Sequence, residues 1–485
     1  MSVRLVYEDI AVGAAEDATV AATGKTAQSD LTLIPEDNTF PNYATLETNL
    51  FALDGSLELY NEETVAYWSE ALSDDNGAFS TPPAMTLTFT QNYTTTGITL
   101  KFSGDSYPAN VNIKWYRGAT QLDDKTFIPD ALTYFCENNV EAYNKIVITF
   151  NAMSLPNRRL KISSVIFGVR RTFDRYELSA GSTIIQQEID PTGRELPADT
   201  LDFEIRAKEQ VEYIFQRRQP IYAYDGERLL GMFFIDESNR VSSTVYDITA
   251  VDSIGVLGDD PFPDARYAEA NALSVAQSIC GEFEVDMDAS LQNQSISGVI
   301  VGATRRSALQ LLCFRLNAVA DTAGSDKIKI FPIDMTSPSE IPKNRARIGG
   351  AVKSGAKVTA VTVTAHSYST SGSGDYVEIN GTRYYDTKTT YTITDPTITA
   401  ADVQNVVEVS DCTLIDPASL QAVTQNLYNF TRLIDEHDVA FRVESETVGD
   451  YVSAYSPWGT LLPGVYASAR LVLSGITVAN AKIMG

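Results

Sequence analysis

The strongest constraint on this chain is a two-residue alternation of apolar and polar side chains that keeps returning along its length. Met85, Leu87 and Phe89 alternate with threonines, and Ile98, Leu100 and Phe102 obey the same rule. Val111, Ile113 and Trp115 repeat it. Ile146, Ile148 and Phe150 follow, then Leu160 and Ile162 ahead of Val165 and Phe167. Successive strand residues point to opposite faces, so this period puts one face on a core and leaves the other in water. Turn-rich stretches at 73–77 and 103–106 separate the runs, and several short strands of this kind make a β-sandwich between about 45 and 168. Composition agrees, because 24 Tyr and 20 Phe accompanied by many Thr and Val favour strands over helices.

The alternation resumes beyond Gly168. Ile221–Tyr224 and Leu229–Ile235 flank Asp225 and Gly226, a strong signal for a tight hairpin. Ile184–Pro191 and Thr200–Ile205 lie upstream and Val245–Asp252 downstream, completing a small sheet or barrel. Two helices follow. Ala272, Val275, Ala276, Ile279 and Cys280 form one stripe ended by Gly281, and Thr304 caps a second lined by Leu309, Leu312, Cys313 and Leu316. Strands return at Val361 and Val363, with a hairpin at 375–385 turning on Asn380 and Gly381. A third helix has Asp416 as its cap and Leu420, Val423, Leu427, Phe430 and Ile434 on its buried side. Val439, Phe441 and Val443 then alternate, Val448–Asp450 breaks the pattern, and Val465–Gly475 reads as the final strand. The stretch 456–464, which contains Trp458, is expected to be the turn before that strand rather than a sugar-stacking loop.

At 485 residues the chain calls for several domains. With 37 Lys and Arg against 63 Asp and Glu, its formal charge of −26 disfavours sequence-specific nucleic-acid binding but is compatible with DNA sliding past. The N-terminus reads as no secretory signal and no run of about 18 apolar residues suggests a membrane span. The sequons at Asn92 and Asn380 therefore carry no weight. Cys136, Cys280, Cys313 and Cys412 are scattered and read as reduced packing residues, and His366 and His437 are too few and too far apart for a zinc site or a His-based triad. Gly24, Lys25 and Thr26 imitate the end of a phosphate loop, but position 19 is Thr and no helical pattern follows. Trp68 and Trp115 read as core residues rather than sugar platforms. The acidic turn Asp74–Gly77 reads as a plain turn rather than a Ca²⁺ site. No catalytic, cofactor-binding or metal-ligating residue is expected.

Two resemblances add to this. Tyr67–Ser69, the strands at 86–89, 97–102 and 112–118, and those at 145–150 and 158–168 together resemble a galactose-binding-like (discoidin-type) jelly roll over about 120 residues. Glu188–Pro191 with Leu201–Phe203 opens a second series, followed by Gly231–Ile235 leading to Tyr246–Asp252. Thr304–Gln310 then leads through Ala320 and Asp321 to Ile328–Ile330, and Val448–Asp450, Trp458, Gly459 and Leu473–Gly475 close it. This series, spanning about 165–485, resembles the tail-hub (baseplate hub) proteins of long-tailed phages and contractile injection systems. The fold expected is mainly β with α+β parts, a jelly-roll sandwich plus two tube-like β-barrel domains with helical insertions. The expected divisions are an irregular segment (1–40), the sandwich (41–168), a first hub barrel (169–257), a helical or mixed insertion (258–345) and a second hub barrel with one helix (346–485). The resemblance implies a non-enzymatic virion protein, made in the host cytoplasm, that forms a homotrimer at the tail tip. Tail tube or distal tail protein would lie above it and tip or fibre proteins below, with DNA passing non-specifically and the jelly roll touching cell-surface glycan. The chain ends directly after the last expected strand, so no appended hydrolase is expected. The rival readings are a glycan-binding adhesin and a cell-wall glycoside hydrolase; the latter needs two carboxylates about 5–10 Å apart across a cleft, and no local motif singles out such a pair.

Overall fold

The computed structural model describes residues 3–11, 13–39, 47, 65–179, 181–207, 215–347, 350–399, 403–473 and 477–485. The chain forms two compact units, Glu8–Arg171 and the combination of Met1–Tyr7 with Thr172–Gly485.

In the first of these the expected alternation is present, but two expected short strands merge into one long strand and the strand expected around Ile146–Phe150 begins far earlier, at Thr133. Ala84–Phe102 runs for 19 residues and Thr133–Met153 for 21. They pair antiparallel at both ends, Met85 with Ile148 and Leu100 with Tyr134, while the register shifts between Thr88 and Gly97. Such shifts bend a strand without ending it, and the β-branched run Thr94–Thr96 keeps the backbone extended there. The bend lets one seven-stranded sheet close over its own core, with Phe102 edge-on to Phe150 at 6.4 Å and Phe89 edge-on to Phe167 at 5.2 Å. The strand Thr120–Phe127 lies at one end of the strand order, and its Asp123, Asp124 and Lys125 are the kind of charge that discourages further pairing.

The segment 1–40, expected to be irregular, carries the strand Val3–Ile10. Val3, Leu5 and Tyr7 are buried, and residues Val3–Tyr7 pair antiparallel with Ile221–Asp225. Three apolar positions followed by polar sequence were too short a run to stand out. Residues 8–171 therefore interrupt the larger unit after its first strand.

That larger unit is built on a 14-stranded sheet. Its main path runs through Ala346–Arg347, Asp435–Arg442, Thr477–Met484, Leu461–Leu473, Ile184–Glu188, Thr200–Arg206, Val245–Asp252, Arg228–Arg240, Pro220–Asp225, Val3–Ile10 and Gly168–Asp174. Tyr451–Tyr455 branches off against Leu461–Leu473. The two sets of strands, early and late in sequence, meet where Ile184 pairs with Val472 and Glu188 with Ser468. They share one core, in which Tyr7, Phe203, Phe233, Phe441 and Tyr466 are fully buried. A second core gathers the helices Ala272–Cys280, Arg305–Leu316 and Leu420–Phe430 with a four-stranded sheet that includes Ala360–Ser369 and Thr382–Thr394. The stretch 346–485, expected to be one barrel, thus contributes to both cores.

The capping chemistry is as read: Thr304 Oγ1 accepts from the Ser307 amide at 3.2 Å, and Asn380 and Gly381 both take positive φ at the hairpin turn. The third helix begins one turn later than expected, because Asp416 first caps a turn through the Ser419 amide at 2.8 Å. Leu461–Leu473 is not the final strand. Thr477–Met484 follows and pairs with both it and Asp435–Arg442; its inward residues include Ala479 and Ala481, too small to register as an apolar stripe. Ser474 and Gly475, part of the last hub-like piece, lie outside the described residues. Two glycines are dictated by space. A Cβ on Gly298 (φ +143°) would lie 2.3 Å from the Thr413 carbonyl oxygen, and one on Gly449 (φ +94°) 2.7 Å from the Phe331 ring.

Trp115→Ala is expected to destabilise the unit of residues 8–171 by about 3–5 kcal/mol, measured as a shifted urea midpoint by circular dichroism. A loss below about 1 kcal/mol would mean that the indole does not hold that core together.

Candidate functional site

The residues singled out in the sequence resolve mostly into structural parts. Trp115 is fully buried, with Phe127 edge-on at 6.4 Å, and Trp68 is 8% exposed with the Lys161 ammonium 5.3 Å from its ring centre. Neither offers a free face to a sugar. Asp74 Oδ1 accepts from the amides of Asn76 and Ala78, each at 2.8 Å, so that carboxylate closes its own turn. Lys25 reaches the Ser29 carbonyl oxygen, and Thr26 donates its amide to the Trp68 carbonyl oxygen, an irregular backbone with no helix to receive phosphate. All four cysteines are buried; burial pushes the thiols of Cys136, Cys280 and Cys412 up to about 12 and raises Cys313 too, so none is a thiolate near neutral pH.

His366 is a clamp. Its Nδ1 is 2.7 Å from Asp386 Oδ2 and its Nε2 is 3.1 Å from the Ser410 carbonyl oxygen, tying the chain beyond Val406–Val409 to Ala360–Ser369. Tyr368 stacks parallel to the ring at 6.1 Å. His437 faces the main core beside Val439 and Phe441, and neither of its ring nitrogens has a hydrogen-bond partner among the described residues. Burial pushes its pKa down while the Asp438 charge opposes. Among the described residues no group of three or more His, Cys, Asp and Glu side chains could hold a metal ion, and no helix is long and apolar enough to cross a membrane.

Two surface features of the larger unit bear on function, a sheet face and a hairpin tip. Along the face of the main sheet turned away from its core, polar residues of both signs alternate. Burial raises the pKa of Asp202, Gln186 opposes this by a hydrogen bond, Asp247 adds to it and Arg470 opposes it. Further along, Lys353 Nζ lies 3.2 Å from Glu436 and 3.3 Å from Asp438, while Lys482 Nζ lies 3.2 Å from Glu436. The acids of this face are thus interleaved with cations rather than massed.

The hairpin tip is the stretch 456–464, which joins Tyr451–Tyr455 to Leu461–Leu473. Ser456 Oγ accepts the Thr460 amide at 3.0 Å and the Ser456 amide donates to the Thr460 carbonyl oxygen at 2.8 Å. Gly459 takes φ +87°. This closed turn holds Trp458 at 65% exposure, next to Leu461 at 38%. At its base, Lys343 sits 4.3 Å over the Tyr455 ring and the Tyr455 hydroxyl donates to Glu340 at 2.8 Å. The position of this turn between strands was legible in the sequence; that its indole points to solvent was not.

No protein-family model matches the chain, and no curated protein does. Among solved structures it is similar to the tail protein from Neisseria meningitidis MC58, at 14% identity and a TM-score of 0.47 over 64% of this chain and 95% of that one. It is similar also to the 43 kDa tail protein of prophage MuSo2 from Shewanella oneidensis, at 12% identity and a TM-score of 0.44 over 64% and 97%. A third is an E. coli component of the type VI secretion system, at 7% identity and a TM-score of 0.39 over 64% and 74%. These are likenesses of outline.

Trp458→Ala is expected to change the unfolding free energy of the isolated chain by less than about 0.5 kcal/mol, as for an exposed side chain. A loss of core size in a urea titration would mean the tip packs against something. For His437 the folded state favours the neutral ring, so its contribution is present above about pH 6.5 and is lost as pH falls through the lowered folded value. His437→Leu should therefore gain stability relative to the original chain as pH drops below about 6.5, read by paired thermal unfolding curves. An unchanged difference across that range would mean the ring does not titrate on unfolding.

Proposed function

We propose that the protein is a structural component of a phage-type tail, a homotrimeric hub at the tail tip or baseplate that joins the tail tube to the tip and forms part of the DNA conduit. The observation that carries this reading is the continuous 14-stranded sheet, in which two sets of strands share one core and present a broad polar face of mixed sign. A conduit wall needs a wide, closed backbone surface that offers phosphate no run of cations, because phosphate affinity grows with each cation that displaces a counterion. The pairing of Lys353 and Lys482 with Glu436 and Asp438 suits that need. The sheet path tapers at one end into the short strand Ala346–Arg347, with Val352–Ser354 beside it on the same neighbour. Sheet edges of this kind are protected when copies pair around a symmetry axis.

The unit of residues 8–171 is the accessory module. A carbohydrate-binding role for it would rest on its loops, since Trp68 and Trp115 are occupied in packing.

Threefold rings about as wide as a tail tube are expected in negative-stain images of the purified full chain, with a matching trimer mass by sedimentation. A chain that stays monomeric at high concentration and binds components of a glycan array would overturn the hub in favour of an adhesin.

A further inference from the structure

Three buried carboxyl groups lie where the chain crosses between the two cores of the larger unit. Asp199 separates Leu196, in the helical core, from Leu201, in the sheet core. Asp252 separates Ala250 of the sheet core from Ile254 of the helical core, and Asp321 ends a short strand that lies between the cores, with Val319 in the sheet core, Ala320 in the helical core and Ala323 again in the sheet core. None is more than 2% exposed.

Their bonds knit the crossings together. Asp199 Oδ1 accepts the Glu188 amide at 3.1 Å, and its carbonyl oxygen accepts the Asp252 amide at 3.0 Å. Asp252 accepts the Gly255 amide on one oxygen and the Thr322 hydroxyl on the other, each at 2.8 Å. Asp321 Oδ2 accepts the Ala323 amide at 2.9 Å and lies 3.3 Å from Lys329 Nζ. Asp199 Oδ2 is buried and makes no hydrogen bond of standard geometry, while the nearby Gln187 side chain favours the charged form of this carboxyl and opposes its rise. The charged groups that interact here are Asp199, Asp252, Asp321 and Lys329, with Asp450 reaching Lys329 from the far side. Three carboxylates cannot all stay ionised in a dry interior that supplies one ammonium.

We propose that Asp199, Asp252 and Asp321 form a proton-operated joint between the two cores, latched while the cluster holds its protons and loosened by mutual repulsion when they leave. Burial is the main cause that raises all three carboxyls above the usual range; Asp321 and Asp252 add their charge at Asp199, and Asp252 is pushed up to about 7. The folded state therefore binds more protons than the unfolded one between about pH 4 and pH 7, so this contribution to stability falls as pH rises through that range, with Asp199 and Asp321 shifted in the same direction. The joint thus works in the opposite sense to His437.

Hydrogen exchange of the full chain, corrected for intrinsic rates, tests this. Amides at 196–201, 250–257 and 319–323 should lose about tenfold of their protection between about pH 6 and pH 8.5, while the strand Ala360–Ser369 does not change. Asp199→Asn, uncharged and of the same shape, should abolish that loss. A second readout on the unmodified protein covers the case in which the variant misfolds. The infrared carbonyl band of protonated carboxyl should be present at about pH 6 and weaken by about pH 8.5, as Asp252 ionises. Protection that is flat with pH in the unmodified chain, a pH-dependent loss that persists in Asp199→Asn, or no protonated band at about pH 6 would each overturn the joint.

Discussion

Everything in the larger unit depends on one antiparallel pairing, Ile184–Glu188 against Ser468–Val472. Its backbone hydrogen bonds join strands laid down early in the chain to strands laid down at its end. They also let Phe203 and Phe233 from one set share a core with Phe441 and Tyr466 from the other. Without that seam each set would be a half-sheet with an open edge and a hydrophobic face only half covered. The helices and the four-stranded sheet then have a firm base, because they hang from the same strands through the crossings at Asp199, Asp252 and Asp321. Continuity of hydrogen bonding, rather than any single side chain, is what turns a long series of modest strands into one body.

Where the sequence was legible, local rules agreed with the final packing. The Asp225-Gly226 and Asn380-Gly381 turns, the Thr304 cap and the stripe from Ala272 to Cys280 each carried enough information within a dozen residues to specify their element. Failures had a common physical origin in partners distant in sequence. Val3, Leu5 and Tyr7 form a strand only because Ile221–Asp225 receives them. Thr477–Met484 buries alanines that become a strand face only between two neighbours already in place. Ala84–Phe102 reads as two strands because the polar stretch in its middle sits at a bend, a feature that belongs to the sheet and not to the segment.

The functional surface was less legible than the fold. The burial of Trp115 followed from its phase with Val111 and Ile113, whereas Trp458 sits in a turn, where no phase exists to say which way an indole points. The carboxyl cluster was not legible as a cluster, since Asp199, Asp252 and Asp321 are single acids among 63 Asp and Glu, one just before a strand and two at strand ends, far apart in sequence. Only the meeting of two cores makes them neighbours.

The interruption after the first strand has a consequence for the order of events at the ribosome. Val3–Tyr7 emerges well before its partner at Ile221–Asp225, which appears only after the whole of residues 8–171 has been made. The interrupting unit has its own core and can fold while the host strand waits unpaired. The host sheet then closes late and by long-range contacts, its last seam needing residues 468–472 to return to 184–188. Such a chain is slow by topology, and Val3–Tyr7 is secured long after it is made.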